Sequence, residues 1–184
     1  GWWEIQWGSK EEAQEAWSEW SQNEEAAAWN EKYASVLQCD ESLINGFESV
    51  FPIASAQYSE LPDSGYFYGE VHICELNDGS TQEEAISFLS GFTEAVANAD
   101  YSDTSYHLGN YFNVDESGGF LWANFTNSEE SMNKANTSFE ASVRETMFPI
   151  FSTFASCGEV PDLYHGFTLY NADDKDFMPT FPSN

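Results

Sequence analysis

The chain has 184 residues, 41% of them hydrophobic, and it carries 32 Asp and Glu against 5 Lys and Arg, a formal charge of −27. The hydrophobic content supplies a core and argues against a largely disordered chain. The charge repels phosphate backbones and anionic lipid headgroups, which argues against nucleic-acid and membrane-surface binding. No apolar run approaches the about 20 residues that span a bilayer.

The acidic residues are scattered along the chain rather than grouped in blocks. A cationic partner or a bound metal would explain such a charge, and so would solubility in salty water, where screening limits self-repulsion. The scatter favours solubility, as in a marine or halophilic organism. The chain begins at Gly1 rather than at Met. A cleaved signal peptide or an artificial start would each explain this, and the expectation is a secreted or periplasmic protein.

The first part of the chain predicts a strand, a helical region and a second strand. Aromatic and polar residues alternate over Trp2–Trp7, and an acid-led helix follows, because acids in a first turn complement the helix dipole. A further short strand is predicted near Phe47–Phe51. Residues 54–65 are predicted to be a linker.

The middle of the chain gives the clearest pattern. Tyr66–Leu76 alternates as a strand, and a helix is predicted to begin at Thr81, which can form a capping box with Glu84. A second strand is predicted over Ser105–Val114. One apolar stripe at helical spacing marks the buried face of the helix: Ala85, Phe88, Leu89, Phe92 and Val96.

The end of the chain resembles its beginning. A strand over Phe120–Thr126 precedes an acid-led helix, in which Pro149 is predicted to cause a break or kink, and a last strand near His165–Tyr170. When the chain is laid on itself, Cys39 falls on Cys157 and further identities follow in order. These include Glu11 and Glu12 on Glu129 and Glu130, and Gly46-Phe47 on Gly166-Phe167. The pattern predicts repeated βαβ units.

These units predict an α+β fold of ferredoxin-like sandwiches, with helices on one face of an antiparallel sheet. Residues 66–172 form a complete domain and 173–184 a tail. Residues 1–53 form a βαβ half-domain that repeats the second half of the complete domain, so a first half is expected upstream. The chain resembles the dimeric α+β barrel superfamily, which includes antibiotic-biosynthesis-monooxygenase-like and stress-responsive proteins. The resemblance is one of pattern, and no catalytic motif of the family can be placed on these residues. It implies two ferredoxin-like sheets packed face to face around a cavity.

The ferredoxin-like arrangement has a consequence for the three cysteines. Its first and fourth strands are antiparallel neighbours, which would bring Cys74 close to Cys157 and allow a disulfide. Cys39 would then need a partner on the strand expected upstream. The alternative is three free thiols that act as small core residues.

The usual sequence motifs of cofactor and metal sites are absent: there is no G-x-G-x-x-G, P-loop, C-x-x-C, H-E-x-x-H or G-x-S-x-G. The sequence therefore predicts no cofactor and no metal. The predicted site lies on the sheet face opposite the helices. In the strands of this sheet Val71 and Ile73 are expected to face the helices, as are Leu121, Ala123 and Phe125, and the residues that alternate with them to face away. The ligand-binding residues would then be Tyr68, Glu70, His72, Trp122, Asn124 and, from the first repeat, Glu4.

Three functions are compatible with this site. The leading hypothesis is a secreted protein that binds a small apolar or aromatic molecule in the barrel cavity. The enzyme alternative is a cofactor-independent monooxygenase-like protein in which Glu70 and His72 transfer a proton. The third is a structural or self-assembling subunit, a homo-oligomer held by aromatic residues and sheet edges. Two packed sheets would also bury such aromatic residues without any ligand. His107 and His165 are expected to be exposed at strand starts.

Overall fold

A computed structural model describes residues 2–38, 44–53, 65–114, 118–171 and 176–181. The chain divides into two compact units, unit 1 (Gly1–Ile44) and unit 2 (Asn45–Asn184). Parts of the predicted linker (54–64) and of the predicted tail (172–175 and 182–184) lie outside the described residues, as does Cys39.

Unit 1 contains two helices, α1 (Lys10–Gln22) and α2 (Glu24–Tyr33). Asn23 separates them, and its side-chain oxygen accepts hydrogen bonds from the first backbone N–H groups of α2. Aromatic rings pack along the helices, with ring centroids 6.5 Å apart for Trp20 and Trp29. Ala26 is the only described residue of the unit that is buried, and the tryptophan rings remain largely exposed.

The predicted strand Trp2–Trp7 is not formed. A strand requires a neighbour to pair its backbone N–H and C=O groups, and none of the pairings among the described strands includes these residues. The matching stretch Phe120–Thr126 does form a strand. The two copies of the sequence repeat therefore differ in structure at their first element.

Unit 2 is a mixed α+β structure. Its strands are β1 (Phe47–Ile53), β2 (Tyr66–Leu76), β3 (His107–Asn113), β4 (Gly119–Thr126), β5 (Ala155–Cys157) and β6 (Asp162–Phe167). They form one antiparallel sheet in the order β1-β3-β4-β2, and β5 and β6 both pair with the outer edge of β2. The strand and helix order of Tyr66–Phe167 is compatible with a ferredoxin-like class. The predicted strand near Phe47–Phe51 is β1, which belongs to this sheet.

The helices of unit 2 are α3 (Gln82–Ala97), α4 (Glu129–Ser138) and α5 (Arg144–Phe154), with a π-helical segment, Phe139–Val143, between the last two. The predicted capping box is confirmed, since Thr81 and Glu84 exchange both hydrogen bonds. The predicted apolar stripe of α3 is buried in the core. The helix does not break at Pro149, because α5 continues to Phe154. The departure from α-helical geometry comes earlier, in the π-helical segment.

The predicted disulfide is confirmed. Cys74 on β2 is directly opposite Cys157 on β5, and their sulfur atoms are bonded. It joins residues 83 positions apart and fixes the end of the α5 segment to the sheet.

Candidate functional site

The sheet of unit 2 has two faces, which side-chain contacts distinguish. The Trp122 ring lies 5.0 Å from Phe92 of α3 and 5.7 Å from Phe151 of α5, centroid to centroid. Asn136 of α4 donates a hydrogen bond to Glu70. Trp122 and Glu70 therefore lie on the face covered by helices, which we call the helix face. We call the opposite side the distal face.

Five of the six predicted ligand-binding residues share the helix face. Cross-strand partners lie on the same side of a sheet, and the register pairs Tyr68 with Thr126, Glu70 with Asn124 and His72 with Trp122. The sequence grouped these residues correctly but assigned them to the wrong face. Ile73, predicted to face the helices, is on the distal face and 62% exposed. Glu4, the sixth residue, belongs to unit 1, where it accepts a hydrogen bond from Gln6.

Four of these five residues have hydrogen-bond partners. Asn124 Oδ1 accepts hydrogen bonds from Tyr106 Oη at 2.7 Å and from Trp122 Nε1 at 3.1 Å. Glu70 Oε2 is 3.0 Å from Asn136 Nδ2, and His72 Nδ1 is 3.4 Å from the carbonyl oxygen of Gly158. Glu70 and His72 thus have separate hydrogen-bond partners, which does not favour their predicted role as a proton-transfer pair.

A second group of titratable side chains lies where β2 pairs with β6. Tyr66 Oη is 2.7 Å from His165 Nδ1, and His165 is exposed, as predicted. Burial, followed by the negative charge of Glu129, raises the pKa of Tyr66. Burial, followed by the charge of Glu70, raises the pKa of Tyr68. Both phenols therefore stay protonated at neutral pH and cannot act as bases there.

Sequence reasoning missed Asn110, an amide inside the core. It lies on β3 opposite Trp122 and is 0% exposed. Among the described residues, neither its side-chain nitrogen nor its oxygen has a hydrogen-bond partner. The signal was present in the alternation of β3, where Asn110 stands at an apolar position between Leu108 and Phe112.

The distal face carries a continuous row of aromatic rings, which we call the distal ribbon. Five ring-to-ring contacts, with centroid separations of 5.4–6.2 Å, connect its members across β1, β3, β4 and β2. In order along the sheet these are Phe47, Tyr111, Phe51, His107, Phe125 and Phe67. Tyr111 is buried and the other five rings are half-buried. Most of the contacts with phenylalanine and tyrosine are edge-to-face, the arrangement that aromatic quadrupoles favour.

Three glycines lie beneath rings of the distal ribbon. A Cβ on Gly166 would be 2.1 Å from Cζ of Phe67, and one on Gly69 would be 3.0 Å from Cδ1 of Phe125. A Cβ on Gly109 would likewise be 3.0 Å from Phe51. The rings rest on the backbone at these positions, so glycine is required for their close approach.

Few of the described strand positions on the distal face are acidic, although the chain has 32 Asp and Glu. Among the strand positions on this face, only Glu75 and Asp162 are acidic, and both lie at strand ends. His107, predicted to be exposed, is half-buried beside Phe51 and Phe125. Burial lowers the pKa of His107, so its ring is neutral at neutral pH. The described strand positions at the centre of the distal face are therefore uncharged.

In the described parts of the chain, no group of three or more His, Cys, Asp or Glu side chains could hold a metal ion. None of the described helices is long and apolar enough to cross a membrane. Comparison of the chain with known protein families, with curated proteins and with solved structures finds no match in any of the three.

Proposed function

We propose that the protein binds a flat apolar or aromatic molecule against the distal ribbon. The observation that carries this proposal is the unbroken row of rings across four neighbouring strands. Aromatic walls with few polar groups are typical of small-molecule sites. Three interstrand spacings correspond to about 14 Å, so the ribbon has room for a molecule longer than one ring.

The charge distribution supports a neutral or cationic ligand. Among the described strands, only positions at the strand ends bring carboxylates to the distal face, and the chain as a whole carries −27. An anionic ligand would be repelled by this field, whereas a cation would be attracted to the ring faces. Contact with the uncharged centre requires an apolar ligand surface, because burying an unpaired charge there is costly.

We further infer a ferredoxin-like domain and an oxidising compartment. The strand order β3-β4-β2-β6, with α3 and the α4–α5 segment as the two crossovers, supports the ferredoxin-like assignment. In the barrel superfamily that the sequence resembles, a second sheet would cover the distal face. The Cys74–Cys157 disulfide supports a secreted or periplasmic protein, since such bonds persist in oxidising compartments.

Titration with N-phenyl-1-naphthylamine, an uncharged probe that fluoresces in apolar surroundings, tests the proposed site. We expect saturable binding and about tenfold weaker binding to Phe67→Ala, because a ring contact contributes about 0.5–1.5 kcal/mol beyond its buried area. Phe148→Ala is the matched control, since Phe148 is 49% exposed and lies on α5. It should bind the probe like the parent protein.

Two results would count against the proposal. One is the absence of saturable binding by the folded protein. The other is equal loss of binding in Phe67→Ala and Phe148→Ala. Native mass spectrometry at increasing protein concentration distinguishes ligand binding from the alternative of a self-assembling subunit. Such a subunit would form species of higher mass, and their formation would exclude the probe.

A further inference from the structure

A second site is indicated on the other side of the sheet, at the side chain of Asn110. A buried amide normally has hydrogen-bond partners, and leaving one unpaired costs about 1–3 kcal/mol. Asn124, two residues along the neighbouring strand from Trp122, shows the usual arrangement and accepts two hydrogen bonds. Asn110 is fully buried, and neither polar atom of its side chain is bonded within the described structure. Both polar atoms of this amide can therefore accept a further partner.

The surroundings of Asn110 are apolar and largely aromatic. Its cross-strand neighbours are Val50 on β1 and Trp122 on β4. Trp122 in turn contacts Phe92 and Phe151. Sites that bind small aromatic molecules commonly combine aromatic walls with one or a few polar groups that orient the ligand, and the surroundings of Asn110 have this composition.

Helices α3 and α5 cover Trp122 beside the fully buried Asn110, so a ligand would reach the amide only where these helices separate. A Cβ on Gly91 of α3 would be 3.6 Å from the terminal methyl of Met147 on α5, so the crossing is lined by a glycine and a flexible thioether. Pro149 lacks one helical hydrogen bond, and the π-helical segment Phe139–Val143 precedes α5.

We propose that Asn110 anchors a small neutral molecule that has an aromatic body and a carboxamide or lactam group. The Asn110 nitrogen would donate to the ligand carbonyl, and the Asn110 oxygen would accept from the ligand N–H. A side-by-side donor and acceptor satisfies both unpaired atoms at once. The ligand is neutral because a charge buried beside Trp122 would have no counter-charge. This site is independent of the distal ribbon, which lies on the opposite face.

Benzamide and N,N-dimethylbenzamide form a matched pair of probes, since the second lacks the N–H donor. Binding is measured by the ¹⁵N–¹H resonances of the Asn110 side chain and by the rise in Tm of unit 2. We expect benzamide to shift both, and the dimethyl compound to bind at least tenfold more weakly. Asn110→Leu should lose the response to benzamide by a similar factor, whereas Phe67→Ala on the distal ribbon should keep it.

Two results would overturn the proposal. One is an equal response of the parent protein and Asn110→Leu to benzamide, which would place the probe elsewhere. The other is no shift of the Asn110 resonances up to the solubility limit of benzamide. Neither result affects the distal ribbon, which is tested separately with Phe67→Ala.

Discussion

Replacing Asn110 by leucine should stabilise unit 2 in the absence of any ligand. The two side chains are similar in size, and the change removes an amide whose polar atoms are buried without partners in the described structure. The cost of such a group is about 1–3 kcal/mol. We therefore expect a gain of about 2 kcal/mol, which corresponds to a rise in Tm of about 4–8 °C for a domain of this size.

The matched control is Asn124→Leu, on the neighbouring strand and the same face. Asn124 accepts hydrogen bonds from the buried Tyr106 and the partly buried Trp122, so leucine removes an acceptor that both donors use. This variant should lose about 2–4 kcal/mol. Two chemically identical substitutions should thus change the stability in opposite directions because only one of the amides is bonded.

Differential scanning calorimetry measures both variants. The transition of unit 2 is identified by its fall when the Cys74–Cys157 bond is reduced. If Asn110→Leu lowers the Tm as Asn124→Leu does, Asn110 has a bonding partner in solution and the reasoning fails. If it raises the Tm while benzamide binding is lost, the buried amide is kept at the expense of stability, as expected of a binding residue.

Three further predictions concern other features of unit 2. Gly166→Ala should displace the Phe67 ring, since the new Cβ would lie 2.1 Å from it; a chemical-shift change of the Phe67 ring protons and weaker probe binding would show this, and unchanged ring shifts would contradict it. The double variant Cys74→Ala/Cys157→Ala should lose about 2–4 kcal/mol in urea denaturation, and a smaller loss than about 1 kcal/mol would mean that the unfolded chain is already restricted. Burial lowers the pKa of His107, so the unfolded state binds more protons as the pH falls below about 6.5 and stability is lost there; His107→Phe should remove this part of the pH dependence, and parallel stability curves for the two proteins would refute it.

Where the sequence predicted the fold well, each element had several signals that agreed. The strand Tyr66–Leu76 has alternation along its whole length and a turn after it, and its bounds match β2. Helix α3 has a capping box and one apolar stripe, and both are present in the structure. Agreement between local propensity and burial pattern is the condition under which sequence reasoning is reliable.

The predictions from the sequence failed where an element had only one supporting pattern, or where the pattern fitted two arrangements equally well. Trp2–Trp7 alternates like a strand, but alternation does not supply a pairing partner. Both faces of β2 and β4 carry large apolar side chains, so alternation could group Tyr68, Glu70, His72, Trp122 and Asn124 but could not decide which face the helices cover. That choice depends on tertiary contacts such as the one between Asn136 and Glu70, which lie 66 residues apart.

The distribution of tryptophan has a practical consequence for anyone who studies this protein. Of its 7 tryptophans, Trp122 alone belongs to unit 2, and the rest lie between Trp2 and Trp29. Intrinsic emission therefore reports chiefly on unit 1. A denaturation curve recorded by tryptophan fluorescence could be complete while the sheet is still intact. Comparison with a Trp122→Phe variant is therefore needed to identify the fluorescence of unit 2.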